Sequence, residues 1–266
     1  MRTSDGQNWE SVATTEEFGL YWGGFAQFHK FGVFEGMLYA NVENYDPVNN
    51  QFVAKIYRSP SGDPGTWVDV QSLPRWGSPG SFHVFKGALY MDSDGRYDID
   101  QDWNYIPLNE QVIRSFDGVT WETVFDGADQ GIDVNDTIGG FADYKGYLYV
   151  GNGVNPGEGQ IWRTQDGLQW EMLDLTDFGT PLDYKVDGLV VYHGYLYAYT
   201  VNWEIGGSVF RTQDAKTWER VNEPGWGDPA NGATHLESDQ VVFKDELYMG
   251  VIGPQGKLLK MVHPDK

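Results

Sequence analysis

The chain has 266 residues, 39 acidic side chains against 18 basic ones for a formal net charge of −21, and no cysteine. That charge repels phosphate backbones and anionic lipid, which excludes nucleic acid and membrane surfaces as partners. The missing thiols exclude disulfides, thiolate metal sites and cysteine nucleophiles. Hydrophobic residues at 40% supply a packed core, and 34 glycines with 12 prolines point to a chain that turns often.

Residues 1–12 carry "RTSDGQNWESV", a polar turn followed by a strand. The segment 13–70 contains a hairpin signal, "FEGMLYANV" from Phe34, and a stretched polar turn, "RSPSGDPGTW" from Arg58. Both markers return in 71–125 as "FKGALYMDS" from Phe85 and "RSFDGVTW" from Arg114. In 126–173 they read "YKGYLYVGN" from Tyr144 and "RTQDGLQW" from Arg163, and in 174–221 "YHGYLYAYT" from Tyr192 and "RTQDAKTW" from Arg211. The segment 222–262 has "FKDELYMGV" from Phe243 and ends on the strand "GKLLKMV", with no polar turn after it.

The turn tryptophans Trp9, Trp67, Trp121, Trp170 and Trp218 are spaced 58, 54, 49 and 48 residues apart, a period that marks a repeat architecture. Each period holds four short strands joined by turns. Four-stranded sheets repeated radially make a β-propeller. The sequence therefore predicts an all-β protein, a single five-bladed propeller domain over 1–266. Its N-terminal strand, 1–12, pairs with the C-terminal blade and closes the ring.

The pattern S/T-x-D-G-x-x-W between the third and fourth strands resembles the Asp-box, or BNR, repeat of sialidases and related propellers. The resemblance covers the whole chain through its repeats, in copies one residue shorter than the common form. It implies that the Asp and Ser/Thr side chains bond their own turn while the Trp packs between strands, an Asx-type fastener without a catalytic role. Sialidase chemistry would further require three arginines clamping the substrate carboxylate, a Tyr/Glu nucleophile pair and an Asp acid. Arg2, Arg58, Arg114, Arg163 and Arg211 all occupy the repeated position before the turn, which leaves Arg75 and Arg96 on the opposite loops. The resemblance thus extends to the scaffold and not to sialidase activity.

Antiparallel blades put the loops between second and third strands, and the connections between blades, on the face away from the repeated turns. Those loops hold 24 of the 39 acids and 4 of the 18 bases. They also hold Trp22, Trp76, Trp103, Trp203 and Trp226, with Tyr184 among their tyrosines. Indole faces stack on sugars and cations, so these residues are candidate ligand-binding groups; the alternative is that they staple the loops down.

Aligning the blades on their hairpin aromatics places His29-Lys30, Gly80-Ser81, Gly139-Gly140, Asp187-Gly188 and Ser238-Asp239 at the mouth of the central funnel. Asp187, Glu237 and Asp239 are candidates to divide acid and base roles, and Lys30 lies beside them. His29, His83 and His235 are further catalytic candidates, or ligands of a divalent metal together with Asp187 or Asp239. A hydrogen-bonded polar plug is the structural alternative. The loop "DSDGRYDIDQD" concentrates Asp92, Asp94, Asp98, Asp100 and Asp102, an oxygen-rich set suited to calcium. Its order is D-x-D-G, with Trp103 where an EF-hand has its Glu, so a solvated acidic loop remains open.

The sequence supports a hydrolase of neutral or cationic carbohydrate, with a small molecule or glycan as partner and a monomer as the working form. Two alternatives stand beside it: a lectin-like or scaffold module without catalysis, and a metal-dependent hydrolase of esters, lactones or phosphotriesters. Calcium is the first cofactor the residues offer and another divalent metal the lesser one. The expected location is bacterial, secreted or periplasmic, with the signal peptide not present in the chain.

Overall fold

The computed structural model describes residues 2–14, 18, 27–46, 48, 51–74, 79–93, 97–99, 105–132, 137–153, 159–175, 178, 185–231, 240–251 and 257–262. Among these there is no α-helix, only 3-10 turns at Ala128–Gln130 and Pro224–Gly227. No helix is therefore long and apolar enough to cross a membrane.

Strands β1 (Gln27–Phe34), β2 (Met37–Asp46), β3 (Gln51–Ser59) and β4 (Val68–Pro74) form a four-stranded antiparallel sheet in chain order. A second sheet contains β5 (Pro79–Phe85) and β6 (Ala88–Ser93). The separate hairpin β7 (Tyr97–Ile99) and β8 (Tyr105–Pro107) follows, before β9 (Gln111–Ser115) and β10 (Glu122–Asp126) complete that second sheet. The third set is β11 (Thr137–Tyr144), β12 (Tyr147–Gly153), β13 (Gln160–Thr164) and β14 (Trp170–Met172). The fourth is β15 (Lys185–Tyr192), β16 (Tyr195–Val201), β17 (Ser208–Thr212) and β18 (Glu219–Arg220), joined to the third through the pair Gly153↔Lys185. The last sheet has three strands, β19 (Gln240–Phe243), β20 (Glu246–Val251) and β21 (Lys257–Lys260).

The all-β architecture and its antiparallel four-stranded sheets agree with the periodicity. The closing strand expected from residues 1–12 does not join the last sheet among the described residues. Residues 2–14 instead make one bridge, Arg2↔Glu10. The Arg2 guanidinium sits between two carboxylates, 2.8 Å from Glu10 Oε1 and 2.7 Å from Asp63 Oδ1 in the turn after β3. Trp9 is left 58% exposed, whereas Trp218 of the fourth copy is 7% exposed.

Packing divides into two compact units, Met1–Asn135 and Asp136–Lys266. In the first, Phe34, Tyr39, Ile56, Leu89, Met91 and Ile113 interleave between the first two sheets, and Phe18 packs with Val42 and Tyr57. In the second, Tyr149, Ile161, Leu196 and Phe210 fill the space between the third and fourth sheets. Tyr197, Tyr199, Val209 and Leu247 lie between the fourth and the last. The second strands β6, β12 and β16 are covered on both faces, which is why their "LYxxx" runs are apolar without alternation: every residue of β6 is buried.

Two devices repeat. The hairpins between first and second strands put a non-glycine at φ 46–50°, namely Glu35, Lys86, Lys145, His193 and Lys244, mostly followed by Gly at positive φ. This is the primed turn that matches strand twist. The polar turn after the third strand is held by its own side chains. Asp5, Asp117, Asp166 and Asp214 each accept two backbone N–H groups through Oδ1, as Asp214 does from Lys216 and Thr217 at 2.8 Å. Thr3, Ser59, Ser115, Thr164 and Thr212 each accept the N–H three residues on. The arginine before the turn reaches a glutamate across the next strand: Arg2 to Glu10, Arg114 to Glu122, Arg163 to Glu171 and Arg211 to Glu219. These four arginines are committed to the scaffold.

Candidate functional site

The first strand of each four-stranded set breaks register at one equivalent place. The irregularity lies between Phe28 and Phe31, Pro79 and Phe82, Gly139 and Phe141, and Val186 and Gly188. A bulge leaves its extra residues unpaired and re-aims their side chains. His29-Lys30, Gly80-Ser81, Gly140 and Asp187 occupy these bulges, the same positions that blade alignment assigned to the funnel mouth.

In the Met1–Asn135 unit the bulges are fastened by buried polar residues on the neighbouring second strands. Asn41, wholly buried, accepts the Lys30 N–H at 2.8 Å and donates to Gly80 O at 2.6 Å. Asp92 sits at the matching position of β6 and accepts the Ser81 N–H at 2.5 Å. Its carboxylate occupies the space a side chain at Gly80 would need, with Cγ 2.6 Å from where a Cβ would lie. His29 Nε2 lies 3.2 Å from Glu43 Oε2, both groups partly buried. His83 lies on β5 opposite Tyr90, beyond the bulge.

In the Asp136–Lys266 unit Asp187 is 3% exposed. Lys185 Nζ stands 2.7 Å from its Oδ1. Gly139 lets β11 and β15 approach so closely that a Cβ there would lie 2.7 Å from Asp187 Cα. Gly188 likewise faces the Gln240 amide, with Nε2 2.6 Å from its would-be Cβ. Tyr199, opposite Gly188 on β16, is fully buried. Burial, and after it the charge of Asp187, push its hydroxyl far above the usual tyrosine value, so it stays a neutral donor.

The aromatic candidates divide. Trp203 is 44% exposed, in the turn that follows β16. Trp226 stacks on Tyr199, ring centroids 6.4 Å apart and planes at 20°. Its backbone has φ 52°, a left-handed conformation that costs a non-glycine residue roughly 1–3 kcal/mol. The surrounding loops hold it there: Gly225 N–H donates to Gly207 O, Gly207 N–H to Asn231 O, and Asn231 Nδ2 to Gly225 O.

Trp22, Trp76, Trp103, Tyr184, His235, Glu237, Asp239, Asp94, Asp100 and Asp102 lie outside the described residues, and of Asp98 only the backbone, in β7, is described. No group of three or more His, Asp or Glu side chains gathers as a metal would need among the described residues. Of the five loop aspartates only the Asp92 side chain is described; its carboxylate accepts the Ser81 N–H and is buried against Gly80 of its own sheet.

Asn41, Glu43, Lys185, Tyr199 and Gln240 escaped the sequence reading. A signal existed for two of them. Asn41 stands out as an amide in a run of apolar second-strand residues, and Lys185 is one of the 4 bases on the acidic loops. Tyr199 and Gln240 gave none, since a strand tyrosine or glutamine is ordinary.

No family model matches the chain, and no curated protein does. Among solved structures it is similar to an alpha-L-arabinofuranosidase from Clostridium thermocellum ATCC 27405, with TM-score 0.50 and 13% identity over 95% of each chain. It is also similar to the K499G mutant of NanB sialidase from Streptococcus pneumoniae, with TM-score 0.53 and 12% identity, covering 75% of this chain and 32% of that one. At these identities the likeness is one of fold, that of propeller proteins built from four-stranded antiparallel sheets.

Proposed function

We propose that the chain is a glycosidase-like hydrolase of neutral or cationic carbohydrate, working as a monomer on a five-bladed, Asp-box-type propeller. The observation that carries this reading is Asp187: a buried carboxylate in a strand bulge, at a position that blade alignment assigns to the funnel mouth. Fold alone does not specify activity; the likeness in fold to an arabinofuranosidase and a sialidase supports the reading without locating a site.

Hydrolysis adds water across the C1–O bond, so one group must protonate the leaving oxygen while another takes charge of the attacking side. Asp187 serves as the carboxylate on the attacking side, held by Lys185. Glu237 or Asp239 supplies the acid. Loop indoles including Trp203, 44% exposed, present the sugar-stacking surface.

The test is turnover of Asp187→Asn against a panel of aryl arabinofuranosides, xylosides and sialosides. Loss of the catalytic carboxylate lowers kcat/KM by about 10²–10⁴-fold while circular dichroism stays unchanged. Equal turnover by variant and parent refutes the assignment.

A further inference from the structure

A cavity of about 200 Å³ lies between the fourth sheet and the last, within the Asp136–Lys266 unit. Val209, Val221, Trp226, Leu247, Met249 and Leu259 are among its lining residues. One repeat earlier, between the third and fourth sheets, the equivalent residues are Ile161, Leu173, Phe178, Leu196, Ala198 and Phe210. There they close around the indole of Trp218, which is 7% exposed and edge-on to Phe178, ring centroids 5.0 Å apart. The repeat thus marks the cavity as the seat of an indole. Its size agrees, since roughly 150 Å³ admits a benzene ring and an indole is one ring larger.

The polar residues of the lining select no other occupant. Asn222 is spent on the backbone, accepting the Val209 N–H and donating to Gly207 O and Glu223 O. Lys260 pairs with Glu246 at 2.9 Å. It stands where Arg211 stands in the fourth sheet, beside the glutamate that follows Trp218.

Trp218 is delivered by β18, which pairs with β17 in the register Arg211↔Glu219 while the Val221 N–H donates to Val209 O. In the last sheet β21 has only β20 beside it among the described residues, and Leu258 and Val262 are 73% and 79% exposed. An uncovered strand edge is a template for one more strand. The matching sequence is in the chain itself: "TWERV" from Thr217 returns as "NWESV" from Asn8. Yet Trp9 is 58% exposed, and in its own chain the segment is engaged by Arg2, which bridges Glu10 and bonds Asp63 after β3.

We propose that residues 9–12 of a second copy add to β21 as a fourth strand, with Trp9 filling the cavity, Glu10 opposite Lys260 and the Val12 N–H on Leu258 O. The exchange is mutual, each copy giving its N-terminal strand to the other. In both, the Arg2↔Glu10 bridge gives way to a Lys260↔Glu10 one, so backbone bonds are kept in number and burial of the indole drives association. This dimer is in equilibrium with the monomer, and it stands whether or not Asp187 hydrolyses glycosides.

The chain has no cysteine, so an engineered disulfide reports the pairing. Glu10→Cys and Lys260→Cys are made as separate full-length chains, mixed and oxidised; residues directly opposite on paired strands lie within disulfide reach. A mixed disulfide joining positions 10 and 260, read by mass spectrometry of the dimer band, is expected. Adding Trp9→Ala to the Glu10→Cys chain lowers its yield at least about tenfold. Trp9 is exposed in the monomer, so that variant keeps its fold, which circular dichroism checks. No mixed disulfide, or a yield indifferent to Trp9→Ala, overturns the proposal. So does a double variant Glu10→Cys/Lys260→Cys that oxidises within one chain, because the segment then serves its own last sheet.

Discussion

Lys185 Nζ lies 2.7 Å from Asp187 Oδ1, and the two side chains are 17% and 2% exposed. They stand two residues apart on β15, Asp187 at the strand's bulge. Removing one partner strands the other charge in a poorly hydrated place. Lys185→Met should therefore cost about 3 kcal/mol in urea unfolding, and the double variant Lys185→Met/Asp187→Asn should be less destabilised than the single one. A double variant as unstable as the two single losses combined would show the pair to be uncoupled.

Gly118 has φ 70°, and a Cβ there would overlap the Tyr39 hydroxyl. Gly6, at φ 75° in the equivalent turn, has nothing within 4 Å of that position. Ala215 occupies the same place in a third copy at φ 58°, so the backbone conformation alone tolerates a methyl. Gly118→Ala should cost about 3 kcal/mol and Gly6→Ala about 1 kcal/mol by thermal or urea unfolding. Equal costs would remove the packing argument.

Backbone N–H groups of Thr217 and Lys216 hold the Asp214 carboxyl down at about 2, from an ordinary value of 3.8. The same contacts lower Asp5, Asp117 and Asp166. A carboxyl depressed in the folded state contributes stability that is complete above its unfolded value and lost as pH falls through the folded one. Folding stability should therefore decline between about pH 4 and about pH 2, and Asp214→Asn should show a shallower decline across that window. Identical pH slopes in variant and parent would count against the turn carboxylates.

Asn41 joins the two bulges of the first unit by accepting from Lys30 N–H and donating to Gly80 O. Asn41→Ala leaves both backbone groups without that partner in a buried place, at a cost of about 3 kcal/mol. Hydrogen exchange at the Lys30 amide should accelerate in the same variant. An unchanged rate would mean that the bulge is held by something else.

The repeat was legible because every copy must turn the same corner with the same atoms. The Ser/Thr oxygen, the Asp carboxylate and the residue at positive φ are fixed by local geometry spanning three or four residues, so they are written in the sequence each time. The second-strand "LYxxx" runs and the place of the repeated arginines before the turn followed from the same locality. Blade alignment also placed His29, Gly80, Gly139 and Asp187 at equivalent positions, because their distance from the hairpin aromatic is counted along a single strand.

What the neighbouring strand contributes could not be read this way. That Asp92 turns to the Ser81 N–H depends on the space left by Gly80 across the strand pair. That Tyr199 on β16 feels the charge of Asp187 on β15, and that Trp226 from the following loop packs on Tyr199, are contacts between separate elements. Likewise Arg2 is engaged by Asp63, 61 residues away in sequence, a pairing no periodicity encodes. The sequence by itself determined the strand repeat and its turns, since these rest on bonds within a few residues. Only the tertiary structure decided which polar groups meet, because burial and Coulombic pairing depend on distance through space and not along the chain.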